Sequence, residues 1–98
     1  PTVSLDTATV ASIRSRVKQA IDGFPKLGPK LVRLSFHDCV GGCDGCIDLS
    51  NGDNSGLEVP IAALDPIHKE FEDKLSRADV WAIAGLTAAE VAQKDTFF

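Results

Sequence analysis

Methionine is missing altogether from this sequence of 98 residues. Because no Met is present, Pro1 cannot be a translation start, and we expect a processed product or a fragment. No apolar run approaches the length of a membrane span, so we expect no membrane partner. An excess of positive charge is also missing, since 14 acidic residues outnumber 10 basic ones. Phosphate binding needs a basic surface, which argues against nucleic acid as a partner.

The composition that remains is that of an ordinary globular chain, with 44% hydrophobic and 24% charged residues. This balance argues against disorder, and the length fits one domain or part of one. No N-x-S/T sequon occurs, which leaves secretion neither supported nor excluded.

Helical spacing of apolar residues dominates the first half of the chain. Spacings of three and four predict a first helix over residues 6–21, with Gly23 at its end. Residues 30–36 are a short mixed apolar run, for which we favour a helix over a strand, with Pro29 in its first turn. Five glycines in residues 40–56 predict one long loop.

The second half of the chain predicts two more helices. The segment 58–75 is amphipathic, and its Pro66 would kink the helix or divide it in two. Ser76 and Asp79 then have capping-box spacing before "VWAIAGLTAAEVA", which has almost no polar face. Such a helix should pack against more protein than these residues supply. We therefore predict an all-α fold of about four helices with a long Gly-rich loop.

Three cysteines form a CxxxCxxC array, Cys39, Cys43 and Cys46. The array resembles the [4Fe-4S] motif of radical S-adenosylmethionine enzymes, but here it follows a helical segment, and the chain is too short for that family's barrel. A zinc site would need His37 or His68 as a fourth ligand. A local disulfide that leaves one odd thiol is the interpretation we favour.

Arg33 and His37 are four residues apart, so on a helix their side chains project from one face. A neutral imidazole can take a proton from a bound acid, and a fixed guanidinium can stabilise negative charge on a leaving oxygen. This chemistry suits cleavage of a peroxide O–O bond. An ordinary partly buried pair without a catalytic role has the same spacing, so the pair alone leaves both alternatives open.

The run "LGPKLVRLSFHDCVGGCDGCIDL" closely resembles the distal-helix segment of the plant, fungal and bacterial haem peroxidase superfamily, whose pattern is R-x-x-F/W-H-D-C followed by G-x-D-G-S. Two later stretches, "DNSGL…LDPIHKEF" and "SRADVWAIAGLTAAE", are similar to the next helices of the cytochrome c peroxidase branch, in the same order. The resemblance covers nearly all of residues 5–93. It implies that residues 1–98 form a single distal, N-terminal half-domain of the haem-peroxidase fold, with the proximal half absent from this chain.

The resemblance also implies roles for individual residues. Arg33 corresponds to the distal arginine, which also contacts haem, and His37 corresponds to the distal acid/base. Phe36 corresponds to the aromatic ring over the haem plane. Asn54 corresponds to the asparagine whose side-chain carbonyl orients the distal imidazole, and His68 aligns with a surface residue.

A calcium site is implied by the secreted plant members of the superfamily. Its ligands would be Asp38, the carbonyl oxygens of Val40 and Gly42, and Asp44, all oxygen donors suited to a hard cation. The loop is one residue shorter than theirs, and Cys46 replaces a serine ligand, although a thiol binds calcium poorly. The cytochrome c peroxidase branch functions without this ion, so calcium stays open.

The same secreted enzymes imply a disulfide between Cys39 and Cys43. Cys46 is then the odd thiol, which another chain could bond. The suspected disulfide leads us to expect a secreted or extracellular protein.

The function implied by the resemblance is a haem b peroxidase that reduces hydrogen peroxide and oxidises a donor. The proximal histidine that holds the iron has no counterpart here, so we expect a second chain or half to supply it. The alternative is a haem-free peroxidase-like domain with a structural or binding role, linked to a partner chain by a disulfide.

Overall fold

Four α-helices make up nearly all of the described part of the chain. The computed structural model describes residues 7–40, 42, 45–47, 49, 52 and 55–97, and of these, residues 39, 40 and 94–97 are described by their backbone alone. The helices are α1 (Thr7–Gly23), α2 (Leu27–Val40), α3 (Glu58–Phe71) and α4 (Arg77–Phe97). No strand occurs among the described residues. The predicted all-α class is confirmed, in agreement with the helical half that the resemblance implies.

Helix α1 buries a single stripe of side chains spaced by four residues: Thr9, Ile13, Val17 and Ile21. This spacing is the one that predicted the helix. On the outer side of the stripe, Arg14 pairs with Glu90 of α4, and Arg16 pairs with Glu70 of α3. These pairs are partly exposed to solvent, so the apolar stripe contributes more to the position of α1 than they do.

Helix α2 confirms the preference for a helix over a strand in residues 30–36. Its buried side chains Leu27, Leu31 and Leu34 lie on one side and join the core. The opposite side carries Val32 and Phe36, which are large apolar residues exposed to solvent. This helix therefore has two apolar faces. The described residues cover one of them, and the face with Val32 and Phe36 is open to solvent.

Helix α3 runs without interruption through Pro66. Of the two predicted effects of this proline, division of the helix is therefore wrong, and a kink stays a prediction. Ile61, Leu64 and Ile67 on either side of it are buried in the core. Their burial offsets the backbone hydrogen bond that a proline removes from a helix interior.

Helix α4 packs against each of the other three helices. The predicted capping box begins it: the Asp79 amide donates to Ser76 Oγ at 3.2 Å, and the Ser76 amide donates to Asp79 Oδ2 at 3.4 Å. Trp81 is 1% exposed, and the Arg77 guanidinium lies 4.7 Å from its ring centre. No helix in the described residues is both long enough and apolar enough to span a bilayer.

Gly85 allows α2 and α4 to approach each other closely where they cross. A Cβ atom added at Gly85 would lie 2.2 Å from Ser35 Oγ and 2.6 Å from Ser35 Cβ. Only a residue without a side chain fits this position while Ser35 keeps its place. The close approach sets the relative position of the two helices whose outer faces form the candidate site.

Candidate active site

Arg33, Phe36 and His37 lie along the side of α2 that faces away from the core. Phe36 is 66% exposed, Arg33 is exposed and His37 is half-buried. The Phe36 and His37 rings meet edge to face, with their centres 5.9 Å apart and an interplanar angle of 75°. The structure thus brings three of the predicted site residues to one surface, where a cation, an aromatic ring and an imidazole are accessible.

An apolar cleft of about 490 Å³ lies between α2 and α4, and of these three residues Phe36 lines it. We call it the α2–α4 cleft, and its lining includes Val32, Phe36, Ala82, Leu86 and Ala89. Leu86 is 68% exposed and Phe36 is 66% exposed, so the cleft wall continues onto the open surface. Large exposed apolar side chains gathered in one place are typical of a ligand or protein contact surface.

This surface fits one face of the haem that the resemblance implies. A haem presents a flat apolar ring with two carboxylates, and the site offers an exposed aromatic ring, an apolar cleft and the Arg33 cation. His68, the only other histidine of the chain, lies half-buried on α3 and does not line the cleft. Phe36 and the cleft therefore fit one apolar face of such a group.

The Arg33 side chain is held by the turn that precedes α3. Its Nη1 atom donates a hydrogen bond to the Ser55 carbonyl oxygen at 2.7 Å. The next residue, Gly56, has a φ of +88°, and a Cβ atom there would lie 3.5 Å from Arg33 Nη1. A φ in this region favours glycine, so the turn that presents the Ser55 carbonyl depends on Gly56.

Gly56→Ala is expected to lower the free energy of unfolding by about 1 to 2 kcal/mol, because an L-residue is strained at this φ. Urea unfolding measures the change, and the Arg33 side-chain signals in an ¹⁵N spectrum should shift with it. Gly23→Ala is the matched control, since a Cβ atom at Gly23 meets nothing within 4 Å and its φ lies outside that region. Equal spectra for both variants would show that the turn does not hold Arg33.

His37 has its own contact within α2. Its Nδ1 atom lies 2.9 Å from the main-chain carbonyl oxygen of Arg33, one turn earlier in the helix. Arg33 therefore makes two contacts here: its guanidinium donates to the Ser55 carbonyl oxygen, and its own main-chain carbonyl oxygen contacts the His37 imidazole. The sequence prediction gave the role of orienting His37 to Asn54, which lies outside the described residues.

Asp38, near the end of α2, connects this helix to the beginning of α4 through Gly45. It is 2% exposed, and its two carboxylate oxygens accept from the Gly45 amide at 3.0 and 3.2 Å. Gly45 has a φ of +76°, and a Cβ atom there would lie 3.0 Å from the Ala78 nitrogen. A buried carboxylate needs such a donor, and this one links the two helices that form the cleft.

The predicted calcium site and disulfide fall mainly on parts of the chain outside the description. Asp44 and Cys43 lie outside the described residues, as does the Cys39 side chain. Among the residues that the structure does describe, no group of three or more metal-binding side chains occurs. Gly42 is exposed with a φ of +120°, and Cys46 is exposed. Both the calcium site and the disulfide stay predictions.

The sequence prediction did not include four groups that form or support the candidate site: the Ser55 carbonyl, Gly56, Val32 and Leu86. A main-chain carbonyl leaves no signal in a sequence, and Gly56 was one of five glycines in the predicted loop. The signal for Leu86 did exist, because it belongs to the helix predicted to be too apolar for a free surface. The prediction identified the helix but not the face.

Comparison with known proteins places these features in a family. The family model described as "Peroxidase" matches residues 13–98. A Debaryomyces hansenii protein whose name includes the words "heme-binding peroxidase" is 30% identical, over 82% of this chain and 22% of its own length. "Peroxidase 2" of Oryza sativa subsp. indica is 36% identical, over 76% of this chain and 27% of its own length.

A third relative, from Oryza sativa subsp. japonica, has the words "L-ascorbate peroxidase 4, peroxisomal" in its name. It is 35% identical, over 64% of this chain and 25% of its own length. The chain thus spans about a quarter of the length of these curated relatives. No solved structure matches it with significance.

Proposed function

This chain belongs to the peroxidase family, and from that premise we propose that it forms the distal side of a haem-dependent peroxidase that reduces hydrogen peroxide. The observation that supports the proposal most is the common surface of Arg33, Phe36 and His37 on α2, of which Phe36 also lines the apolar α2–α4 cleft. Phe36 and the cleft would contact the haem ring, and Arg33 would lie beside it as the cation.

In this proposal, His37 transfers the proton of the peroxide and Arg33 stabilises the negative charge. Haem, when bound, would supply the redox chemistry of peroxide reduction, for which a donor provides the two electrons. The neutral His37 imidazole accepts a proton from one peroxide oxygen and delivers it to the other, which leaves as water. The Arg33 guanidinium stabilises the negative charge that develops on the departing oxygen. Its hydrogen bond to Ser55 limits its freedom before the reaction begins.

The other side of the haem requires protein that these residues do not supply. We propose that a proximal half, in a second chain or in further sequence, brings the axial histidine and covers the haem that would contact Phe36 and the α2–α4 cleft. Two observations support this occupant: the chain spans 22 to 27% of the length of its relatives, and Phe36 and Leu86 are both about two thirds exposed. An interface of this kind is expected to centre on apolar side chains.

The finer predictions about the loop also stay proposals. They are that Asn54 takes part in the site, that Asp38, Val40, Gly42 and Asp44 bind calcium, and that Cys39 pairs with Cys43. An extracellular location rests on that disulfide alone, while the name of one rice relative contains the word "peroxisomal". Alkylation of the intact protein before and after reduction would test the disulfide and, with it, the reason for proposing secretion.

Isolation of the protein under mild conditions from its source tests the proposed function directly. Native mass spectrometry is expected to find haem together with additional protein carrying the proximal half. The visible spectrum should contain a Soret band that changes on addition of hydrogen peroxide. A stable monomer of these 98 residues with no haem and no response to peroxide would overturn the proposal and favour the haem-free structural domain.

A further inference from the structure

Trp81 is the one aromatic side chain of this protein that readily loses a single electron. Tryptophan and tyrosine do so most easily among the aromatic residues, and the sequence has one tryptophan and no tyrosine. Trp81 lies in α4, and its neighbour Ala82 lines the α2–α4 cleft, where the proposed haem would bind. An oxidant formed at that surface therefore has one aromatic ring of this chain to attack.

The Arg77 guanidinium lies over the Trp81 ring. Its central carbon is 4.7 Å from the ring centre, and one turn of α4 separates the two residues. The ring itself is 1% exposed. While the ring is uncharged, its electron-rich face attracts the cation. Removal of one electron reverses the sign of this interaction, because the guanidinium then lies beside a second positive charge.

The indole N–H gives that second charge no way to leave as a proton. Nε1 of Trp81 is buried, and it has no hydrogen-bond partner among the residues that the structure describes. An indole nitrogen is a donor only, so a neighbouring acceptor would have to take its proton. When one electron passes from Trp81 to an oxidant, the proton therefore stays on Nε1 and the product is a radical cation. This product carries the charge that Arg77 repels.

Asp65 of α3 offsets part of the Arg77 charge. Its Oδ1 atom lies 3.9 Å from Arg77 Nη2, and the side chains of Asp65 and Arg77 are 58% and 41% exposed. Solvent screens an ion pair of this length and exposure, so the carboxylate neutralises the guanidinium only in part. The Arg77 Nε atom, by contrast, is buried. Much of the positive charge thus remains unopposed beside the Trp81 ring.

We propose that Arg77 protects Trp81 from one-electron oxidation, because its charge raises the potential at which the ring loses an electron. The proposal rests on the proposed function for its use, since the oxidant would arise from the reaction of haem with hydrogen peroxide. An electron that Trp81 retains has to come from the donor instead. The protein is then not consumed in its own reaction.

Square-wave voltammetry of the 98-residue chain without haem tests the proposal. The wave that disappears in Trp81→Phe belongs to Trp81. In Arg77→Gln, which removes the cation, this wave should move to lower potential by about 59 mV or more, a tenfold change in equilibrium for one electron. Arg77→Lys keeps a positive charge and should retain most of the original potential. A wave in Arg77→Gln at the original potential or above it overturns the proposal.

Lys18→Gln is the matched control, since it removes the same charge from an exposed position in α1. The Trp81 wave should not move in this variant, and a shift equal to that of Arg77→Gln would assign the effect to net charge and overturn the proposal. Fluorescence of the single tryptophan shows whether the ring stays buried. If Arg77→Gln exposes it, Asp65→Asn decides: loss of the opposing carboxylate should raise the potential, and no rise overturns the proposal.

The outcome is independent of the proposed function. The potentials are recorded without haem, peroxide or a partner, so a protein that fails to reduce peroxide still reports the potential of Trp81. Conversely, an active peroxidase whose Trp81 potential is the same in Arg77→Gln would refute the protective role of Arg77 and leave the proposed function intact.

Discussion

His37→Gln in the haem-loaded protein is expected to slow the reaction with hydrogen peroxide by roughly 10²- to 10⁴-fold, the usual contribution of a general acid–base group. Glutamine has a similar size and remains polar, but its amide cannot take up a proton near neutral pH. The proton of the peroxide then has no carrier from one oxygen to the other. Stopped-flow absorbance of the haem against peroxide concentration gives the second-order rate constant.

His68→Gln is the matched control for this variant. The substitution is chemically identical and replaces the only other histidine, which is half-buried on α3 and not on the helix that carries Arg33, Phe36 and His37. Its rate constant should equal that of the unchanged protein. Similar losses in both variants would attribute the effect to folding or haem uptake, and no loss in His37→Gln would remove His37 from the reaction.

Gly85→Ala is expected to lower the free energy of unfolding by about 2 to 3 kcal/mol, because the new methyl group overpacks the α2–α4 crossing. The Cβ atom would lie 2.2 Å from Ser35 Oγ and 2.6 Å from Ser35 Cβ, well inside van der Waals contact. One helix must move or Ser35 must leave its position, although the Ser35 hydroxyl now donates to the Val32 carbonyl. Urea unfolding with an unchanged m-value measures the loss.

Gly28→Ala supplies the matched control, since it lies within α2 and the nearest atom to its new Cβ is Ile21 Cγ2 at 4.0 Å. At such a site, alanine is expected to stabilise the protein by about 0.4 to 1 kcal/mol. Ser35→Gly combined with Gly85→Ala removes both clashing atoms and should restore most of the lost stability. A double variant as unstable as Gly85→Ala alone would show that the clash with Ser35 is not the cause.

The local features of this protein were the ones that sequence reasoning predicted well. The Ser76–Asp79 capping box formed as predicted, because its partners are three residues apart and need no other element. Residues 30–36 formed a helix for a comparable reason, since Leu31 and Leu34 repeat at helical spacing and join a buried stripe. Pro66 marks the limit: local chemistry allowed either a kink or a division there, and the helix continues through it with buried residues on both sides.

By itself, then, the sequence determined the four helices, the spacing that places Arg33 and His37 on one side of α2, and the family that this spacing implies. Tertiary structure alone decided which carbonyl holds the Arg33 guanidinium, where Gly85 meets Ser35, and that Phe36 borders an apolar cleft. Helical periodicity depends on neighbours three and four residues apart. Arg33 and Ser55, by contrast, are 22 positions apart, Ser35 and Gly85 are 50 positions apart, and the cleft is lined by two different helices. Their geometry depends on how whole helices pack, and no local pattern records that.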